Sequence, residues 1–220
     1  MVMNSVGQAI KQIGEKMVLC QNSCEGINKD LKKGIIPRCL IFEDKNRSGK
    51  QGCLIIGMNP GKGNEEERRH CKENQTYDYW LEFWYSKASN YPYYRRLRSF
   101  ADQLDLTGPI LWSEIGKCST KTKLPIQTFR VCSSTYLLKE ASQIPNNWPI
   151  IAVGREAFTA TAYMFPNRTV IGIPHVTGSW GGYSKMFVNK ILKPEYKLEF
   201  GKVKCADSPC LATWLGDIGP

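Results

Sequence analysis

The sequence predicts an α/β fold, a three-layer α/β/α sandwich around a central, mostly parallel four-stranded sheet. Short apolar runs rich in β-branched residues recur along the chain, and stretches of helical periodicity separate them. Length sets the scale. The chain has 220 residues, 42% of them hydrophobic, which suffices for one core and fits a single domain over residues 1–220, because no linker-like segment interrupts it.

The first expected element is a helix from Ser5 to Leu19, where apolar residues return at helical spacing and Cys20-Gln-Asn-Ser-Cys24 closes the run. Residues 26–52 look irregular and end in a polar turn, Lys45 to Gly52. Cys53–Gly57 (CLIIG) is continuously apolar, the pattern of a strand buried on both faces. Residues 58–90 are long, polar and aromatic, with TYDYWLEFWY at 76–85. Tyr93 to Leu106 has helical periodicity, with Leu97, Phe100, Ala101 and Leu104 on one side. Pro109 to Ile115 (PILWSEI) reads as the second strand, and Thr128 to Gln143 as a helix carrying Cys132, Tyr136 and Leu137. Pro149 to Gly154 (PIIAVG) is the third strand, turning into a helix from Arg155 to Met164. Arg168 to His175 (RTVIGIPH) is the fourth, Lys185 to Leu192 begins a last helix, and the tail after Pro194 has no clear pattern. In such sheets ligands collect at the carboxyl ends of strands, so the stretches after Gly57, Ile115, Gly154 and Ile173 are the candidates for function.

Thirty Lys and Arg against twenty Asp and Glu give a net charge of +10 and a pI near 9.2. That balance favours a polyanionic partner, nucleic acid first. No apolar run approaches the roughly 20 residues of a bilayer span, and the N-terminus lacks the apolar core of a signal peptide. The expectation is an intracellular protein, cytoplasmic or nucleoid-associated, with no membrane partner. Two histidines, His70 and His175, exclude a His-rich metal site. Nine cysteines, an odd number, argue against a disulfide framework and leave metal binding or simple packing.

The loop after the first strand, Gly57-Met-Asn-Pro-Gly-Lys-Gly63, has three readings. A phosphate-binding P-loop needs G-x-x-x-x-G-K-[ST]; here the loop is one residue short, Gly63 replaces the hydroxyl, and Pro60 removes an amide donor. The plain reading is a turn punctuated by Pro and Gly. The third is a catalytic loop in which the uncharged Asn59 carboxamide, just past a buried strand, orients a water.

Taken together, Gly57-Met58-Asn59-Pro60-Gly61, Ile173-Pro174-His175-Val176-Thr177-Gly178-Ser179 and four ordered cysteines resemble the uracil-DNA glycosylase superfamily. The first motif is similar to that of its mismatch-specific and single-strand-selective branches. Cys20, Cys24, Cys118 (within Lys117-Cys118) and Cys132 resemble the ligand set of its iron–sulfur branch, and the stretch after Cys132 looks like that branch's helix, strand and Gly-x-x-Ala-Phe helix. The likeness runs from about Leu19 to Gly182. Departures are a C-x-x-x-C pair in place of C-x-x-C, GNEEERRHCKENQTYDYW in place of Gly-Arg-Pro-Phe, Glu114 in place of a base-reading Asn, and Val-Thr-Gly after the histidine.

The resemblance implies a monofunctional DNA repair glycosylase, acting as a monomer on DNA, that cleaves the N-glycosidic bond of a flipped-out uracil or other deaminated or damaged base. It implies Asn59 and His175 as catalytic residues; Gly57, Met58 and Glu114 at the base, with Tyr77, Tyr79 or Trp80 stacking on it; and Lys117, Lys121, Lys123, Trp180 and Tyr183 on DNA. Cys20, Cys24, Cys118 and Cys132 would hold a [4Fe–4S] cluster, with zinc the alternative metal. Arg95, Arg96 and Arg98 read as a solvated helix face, and Glu65, Glu66 and Glu67 as acids suited to a helix N-terminus. An ionised Glu114 only accepts hydrogen bonds, which suits a base edge rich in N–H groups rather than uracil alone; the competing reading pairs it with Lys117 as a structural residue. A second function on the same fold is nucleic-acid binding without excision.

Overall fold

The computed structural model describes residues 5–45, 47–49, 51–120, 125–176 and 212–214. Six strands form one sheet: β1 (Ile41–Glu43), β2 (Cys53–Gly57), β3 (Ile110–Glu114), β4 (Ile150–Val153), β5 (Val170–Ile173) and β6 (Ala212–Trp214), in the order β1-β3-β2-β4-β5-β6. β2, β4, β5 and β6 pair in parallel, with Leu54 opposite Ile150, Ile150 opposite Val170, and Val170 opposite Ala212. Every residue of β1 to β5 is buried, which is why these strands read as unbroken apolar runs.

The fold is therefore α/β, as the sequence predicts, but the sheet has six strands rather than four. The two additional strands are three residues each. β1 lies inside the stretch that looks irregular and β6 inside the tail, and three residues are too few for any periodicity to register.

The helices are α1 (Ser5–Val18), α2 (Glu65–Glu73), α3 (Tyr77–Ser86), α4 (Pro92–Gln103), α5 (Ile126–Cys132), α6 (Leu138–Ala141) and α7 (Arg155–Met164). Between α5 and α6, Ser133–Leu137 is wound as a π-helix, so the single helix expected there is helical throughout but widened by one turn of different pitch. The polar and aromatic stretch 58–90 holds two helices. The Asn64 side chain accepts from the Glu67 amide at 2.8 Å and caps α2, whose first turn is Glu65-Glu66-Glu67. Thr76 caps α3 in the same way. Tyr77, Trp80, Phe83 and Trp84 form a buried aromatic stripe on α3, while Tyr85 stays exposed. The helix expected at Lys185–Leu192 lies outside the described residues.

Contacts sort the chain into two compact units, each assembled from three segments. Unit 1 comprises residues 1–42, 57–89 and 112–144. Within it α1 packs on α3 and α6, and α2 on α3. Gly14 makes the α1–α3 approach possible, since a Cβ there would lie 2.3 Å from the Tyr77 ring. Each large side chain on α3 that leaves water contributes roughly 1.5–3 kcal/mol. Unit 2 comprises residues 43–56, 90–111 and 145–220. Its core is the β4–β5 pair covered by α7, and the Gly154 amide bonds Ile173 O at 2.7 Å at the strands' carboxyl ends.

Candidate functional site

β2 ends at Gly57, and the loop that follows is fixed by its carbonyl groups. Gly57 O and Met58 O accept from the amides of Ile115 and Gly116 at 3.0 and 2.9 Å, Pro60 O accepts from the Asn59 side chain, and Gly61 O accepts from the Arg38 guanidinium. Among the described residues nothing accepts from the amides of Met58, Asn59 or Gly61. Hydrogen bonds to its carbonyl oxygens thus tie the loop to the residues just after β3 and to Arg38.

Asn59, half-buried, donates through Nδ2 to Thr120 Oγ1 at 3.2 Å and to Pro60 O at 3.3 Å. Fixing the amide nitrogen in this way leaves the carboxamide oxygen as an acceptor without a protein partner among the described residues. Thr120 is itself held by an antiparallel bridge to Ile27, beside bonds joining Ser119 and Asn28. Neither Thr120 nor Arg38 is visible as a site residue in the sequence, because both lie in segments without periodicity.

Arg38 is buried and is ion-paired through Nε with Glu67. Burial raises the Glu67 carboxyl above the usual carboxylate range, and the Arg38 charge opposes that. This pair ties α2 to the loop through Gly61, which accounts for a buried acid in an otherwise exposed run of three.

Glu114, the last residue of β3, is buried, and its carboxyl lies against the loop's first residue: a Cβ at Gly57 would sit 2.2 Å from Oε2. Oε2 has no hydrogen-bond partner. Burial pushes the acid up to about 8, with Lys117 and Arg38 holding it back only in part. The expected pairing with Lys117 does not occur. Lys117 Nζ binds Glu140 Oε2 at 2.8 Å, Ser113 Oγ at 2.7 Å and the backbone oxygen of Glu114 at 2.6 Å. The expectation of an ionised Glu114 is also corrected, because a buried carboxyl with no cation bound to it keeps its proton near neutral pH.

Lys117 is 1% exposed and cannot reach DNA phosphates, so its expected role there is overturned. Tyr77 and Trp80 are likewise core residues rather than base-stacking rings. The Tyr77 hydroxyl donates to Leu40 O at 2.8 Å, and both rings are 2% exposed. Tyr79 stacks on His70 at 3.8 Å between ring centroids, and its hydroxyl donates to Glu73. Lys121, Lys123, Trp180 and Tyr183 lie outside the described residues.

The four cysteines of the expected ligand set lie in unit 1. Cys118 is pushed up to about 12 by burial first, and then by the negative charges of Cys132, Cys20 and Cys24. Burial also raises Cys24 and Cys132, and each is raised further by neighbours in the set. Thiols that raise one another in this way share one neighbourhood, and their common repulsion is what a bound cation would relieve. Among the described residues, however, no three His, Cys, Asp or Glu side chains stand in a metal-holding arrangement. The segments that carry the cysteines are tied together: Thr128 donates to Glu25 O and Lys29 to Cys20 O. Cys53 is a packing residue of β2, raised by burial to about 12, and Cys39 and Cys71 are also buried. Cys205 and Cys210 lie outside the described residues.

In unit 2, His175 follows β5 and is exposed at its rim, with its ring 5.5 Å from that of Tyr93. Desolvation lowers its pKa. The next residue, Val176, is buried, and its carbonyl accepts from Arg96 at 2.6 Å, which pins the strand's exit. Arg98 grips Glu43 through two bonds of 2.8 and 3.1 Å. Two of the three arginines expected to be merely solvated thus fix backbone or side chains.

No helix among the described residues is long and apolar enough to cross a membrane. No protein-family model matches the chain, and no curated protein matches it.

Proposed function

We propose that this chain is a monofunctional DNA glycosylase, intracellular, that removes a deaminated or otherwise altered base and leaves an abasic site. The observation that carries the reading is Asn59. Its carboxamide stands at the carboxyl end of a buried parallel strand, oriented through Nδ2 by Thr120, with its oxygen left to accept from a water. A base within a duplex must leave the stack to be attacked. Water oriented by Asn59 would then add to the sugar carbon as the glycosidic bond breaks and the departing base takes the electron pair; the proton that the water loses ends on the anionic base. His175, neutral near pH 7 because its pKa is lowered, is suited to donate an N–H to that anionic base.

Cys20, Cys24, Cys118 and Cys132 would hold a [4Fe–4S] cluster, or zinc in its place, serving as a cross-link between the segment after α1 and the segments around β3 and α5. Iron and acid-labile sulfide in protein purified without air support the cluster; stoichiometric zinc without iron supports the alternative. The net charge of +10 supports a DNA partner.

The test is abasic-site formation on oligonucleotides carrying uracil, hypoxanthine and other altered bases, in single and double strands. Asn59→Ala and His175→Ala should each slow single-turnover excision by roughly 10²–10³-fold. The acid limb of the wild-type rate should fall at a lower pH than an ordinary histidine gives, because desolvation lowers the His175 pKa. Binding of every oligonucleotide with cleavage of none would replace this reading by nucleic-acid binding alone.

A further inference from the structure

α2 lies in GNEEERRHCKENQTYDYW, a stretch that departs from the resemblance. Its buried side is Glu67 and Cys71. Helical spacing sets Arg68, Arg69 and Lys72 away from that side, and Arg69 and Lys72 are exposed while Arg68 is half-buried. Two further cations are brought to the same helix. Leu31–Lys33 forms a single 3-10 turn that packs on α2. Gly34 closes the turn at φ 69°, and a Cβ there would collide with Arg68 O, so the two backbones touch between Arg68 and Lys72. Gln75 Nε2 donates to Leu31 O at 2.8 Å and holds the turn in place. Lys32 and Lys33, both exposed, thus adjoin Arg68 and Lys72.

The neighbouring acids are mostly engaged elsewhere. Asp30 pairs with Lys33 at 3.2 Å, Glu66 with Lys87 and Glu67 with Arg38, and Glu73 accepts from Tyr79. Glu65 alone is left over, and among the described residues no carboxylate stands within salt-bridge distance of Lys32, Arg68, Arg69 or Lys72. Like charges four residues apart, as at Arg68 and Lys72, destabilise a helix. A fold that fastens two lysines against them gathers positive charge that an outside anion would relieve.

We propose that Lys32, Lys33, Arg68, Arg69 and Lys72 form a docking surface for the phosphate backbone of duplex DNA, in addition to the contacts that the resemblance implies. Lysine and arginine neutralise phosphates and release counterions, a contact that adds affinity and carries no sequence information. A helix that lies on an anionic membrane buries an apolar face in it. α2 exposes Glu65, Glu66, Arg69, Lys72 and Glu73, none of them apolar, so its chemistry suits a phosphodiester backbone instead. The contact needs no flipped base and goes beyond the excision reading.

The experiment measures equilibrium binding of an unmodified DNA duplex across about 50–200 mM salt. Three variants are compared with the wild type: Arg68→Gln/Arg69→Gln/Lys72→Gln on α2, Lys32→Gln/Lys33→Gln on the turn, and Lys16→Gln/Lys45→Gln/Lys139→Gln as a control. The control removes the same charge as the α2 variant from exposed positions elsewhere. The slope of log affinity against log salt should shrink by about 2–3 in the α2 variant and about 1–2 in the turn variant, with affinity at the low-salt end falling about tenfold or more. The control should keep the wild-type slope. Equal slopes in the α2 variant and the control, a wild-type slope in either folded patch variant, or no duplex binding by the wild type would each overturn the proposal. So would loss of binding to phosphatidylserine vesicles in the patch variants with duplex binding kept. Urea midpoints give the folding control, and the turn variant decides should the α2 variant fail to fold. Excision is not the readout, so its absence removes the glycosylase reading and leaves this one to the binding slopes.

Discussion

Glu114 and Glu140 are the same side chain in the same unit, both buried and each with one carboxyl oxygen that has no partner, yet only Glu140 has a cation bound to it. Glu140, on α6, receives bonds from Lys117 and Ser113 at 2.8 and 2.5 Å on one oxygen. Glu114, at the end of β3, receives none on Oε2 and keeps its proton to about pH 8. The difference is what each acid is near. Glu140 meets a lysine within the packed interior, where the pair secures β3 to the helical run. The Glu114 carboxyl instead lies against the backbone of Gly57. A buried acid with a cation organises the fold, while a buried acid without one is held as the neutral acid by its surroundings.

Removing the cation should erase the distinction and have the largest effect. Lys117→Met leaves Glu140 buried and unpaired and should cost about 3–5 kcal/mol in urea denaturation, with most of it recovered in Lys117→Met/Glu140→Leu. Next is the pH dependence of stability. The raised acid binds its proton more tightly in the folded state, so Glu114 favours folding fully below its ordinary value of 4.5, and that contribution is lost as pH rises to about 8. Denaturation midpoints of the wild type should fall relative to Glu114→Gln over that window and run parallel above it; no divergence would mean that Glu114 is not held as an acid. Smaller is Thr120→Val, which releases Nδ2 of Asn59 and should slow excision about 3–10-fold, the worth of one hydrogen bond, with little change in denaturation midpoint. Smallest is Ser113→Ala, which removes a neutral donor from Glu140 while Lys117 remains; about 1 kcal/mol in denaturation is expected, and no change in excision.

Much of the scaffold was legible because it is periodic. β2 and α7 fall at the expected residues, and β3, β4, β5, α1 and α4 within a few, since buried strands and amphipathic helices write their burial into composition. The rings of α3 illustrate the limit. The stretch reads as aromatic, but a large ring such as Tyr77 or Trp80 suits a stacked base and a packed core equally, and only a packing partner decides. Lys117 shows the same limit for charge: a lysine beside a cysteine suggests phosphate binding until Glu140, 23 positions away, is found against it. Asn59 stood out by its place after a buried run, whereas Thr120 and Arg38, which orient it and its loop, carry no local signal.

Gly57 and Glu114 also constrain how this sequence can vary. A methyl group at position 57 and a carboxyl at position 114 would claim the same space, 2.2 Å apart, so neither position is free to drift alone. Gly57→Ala should be damaging in the present chain and tolerated beside Glu114→Ala, an epistatic pair. Among descendants of this sequence, an alanine at 57 is therefore expected only where position 114 has already given up its acid, which makes the two residues a single inherited character.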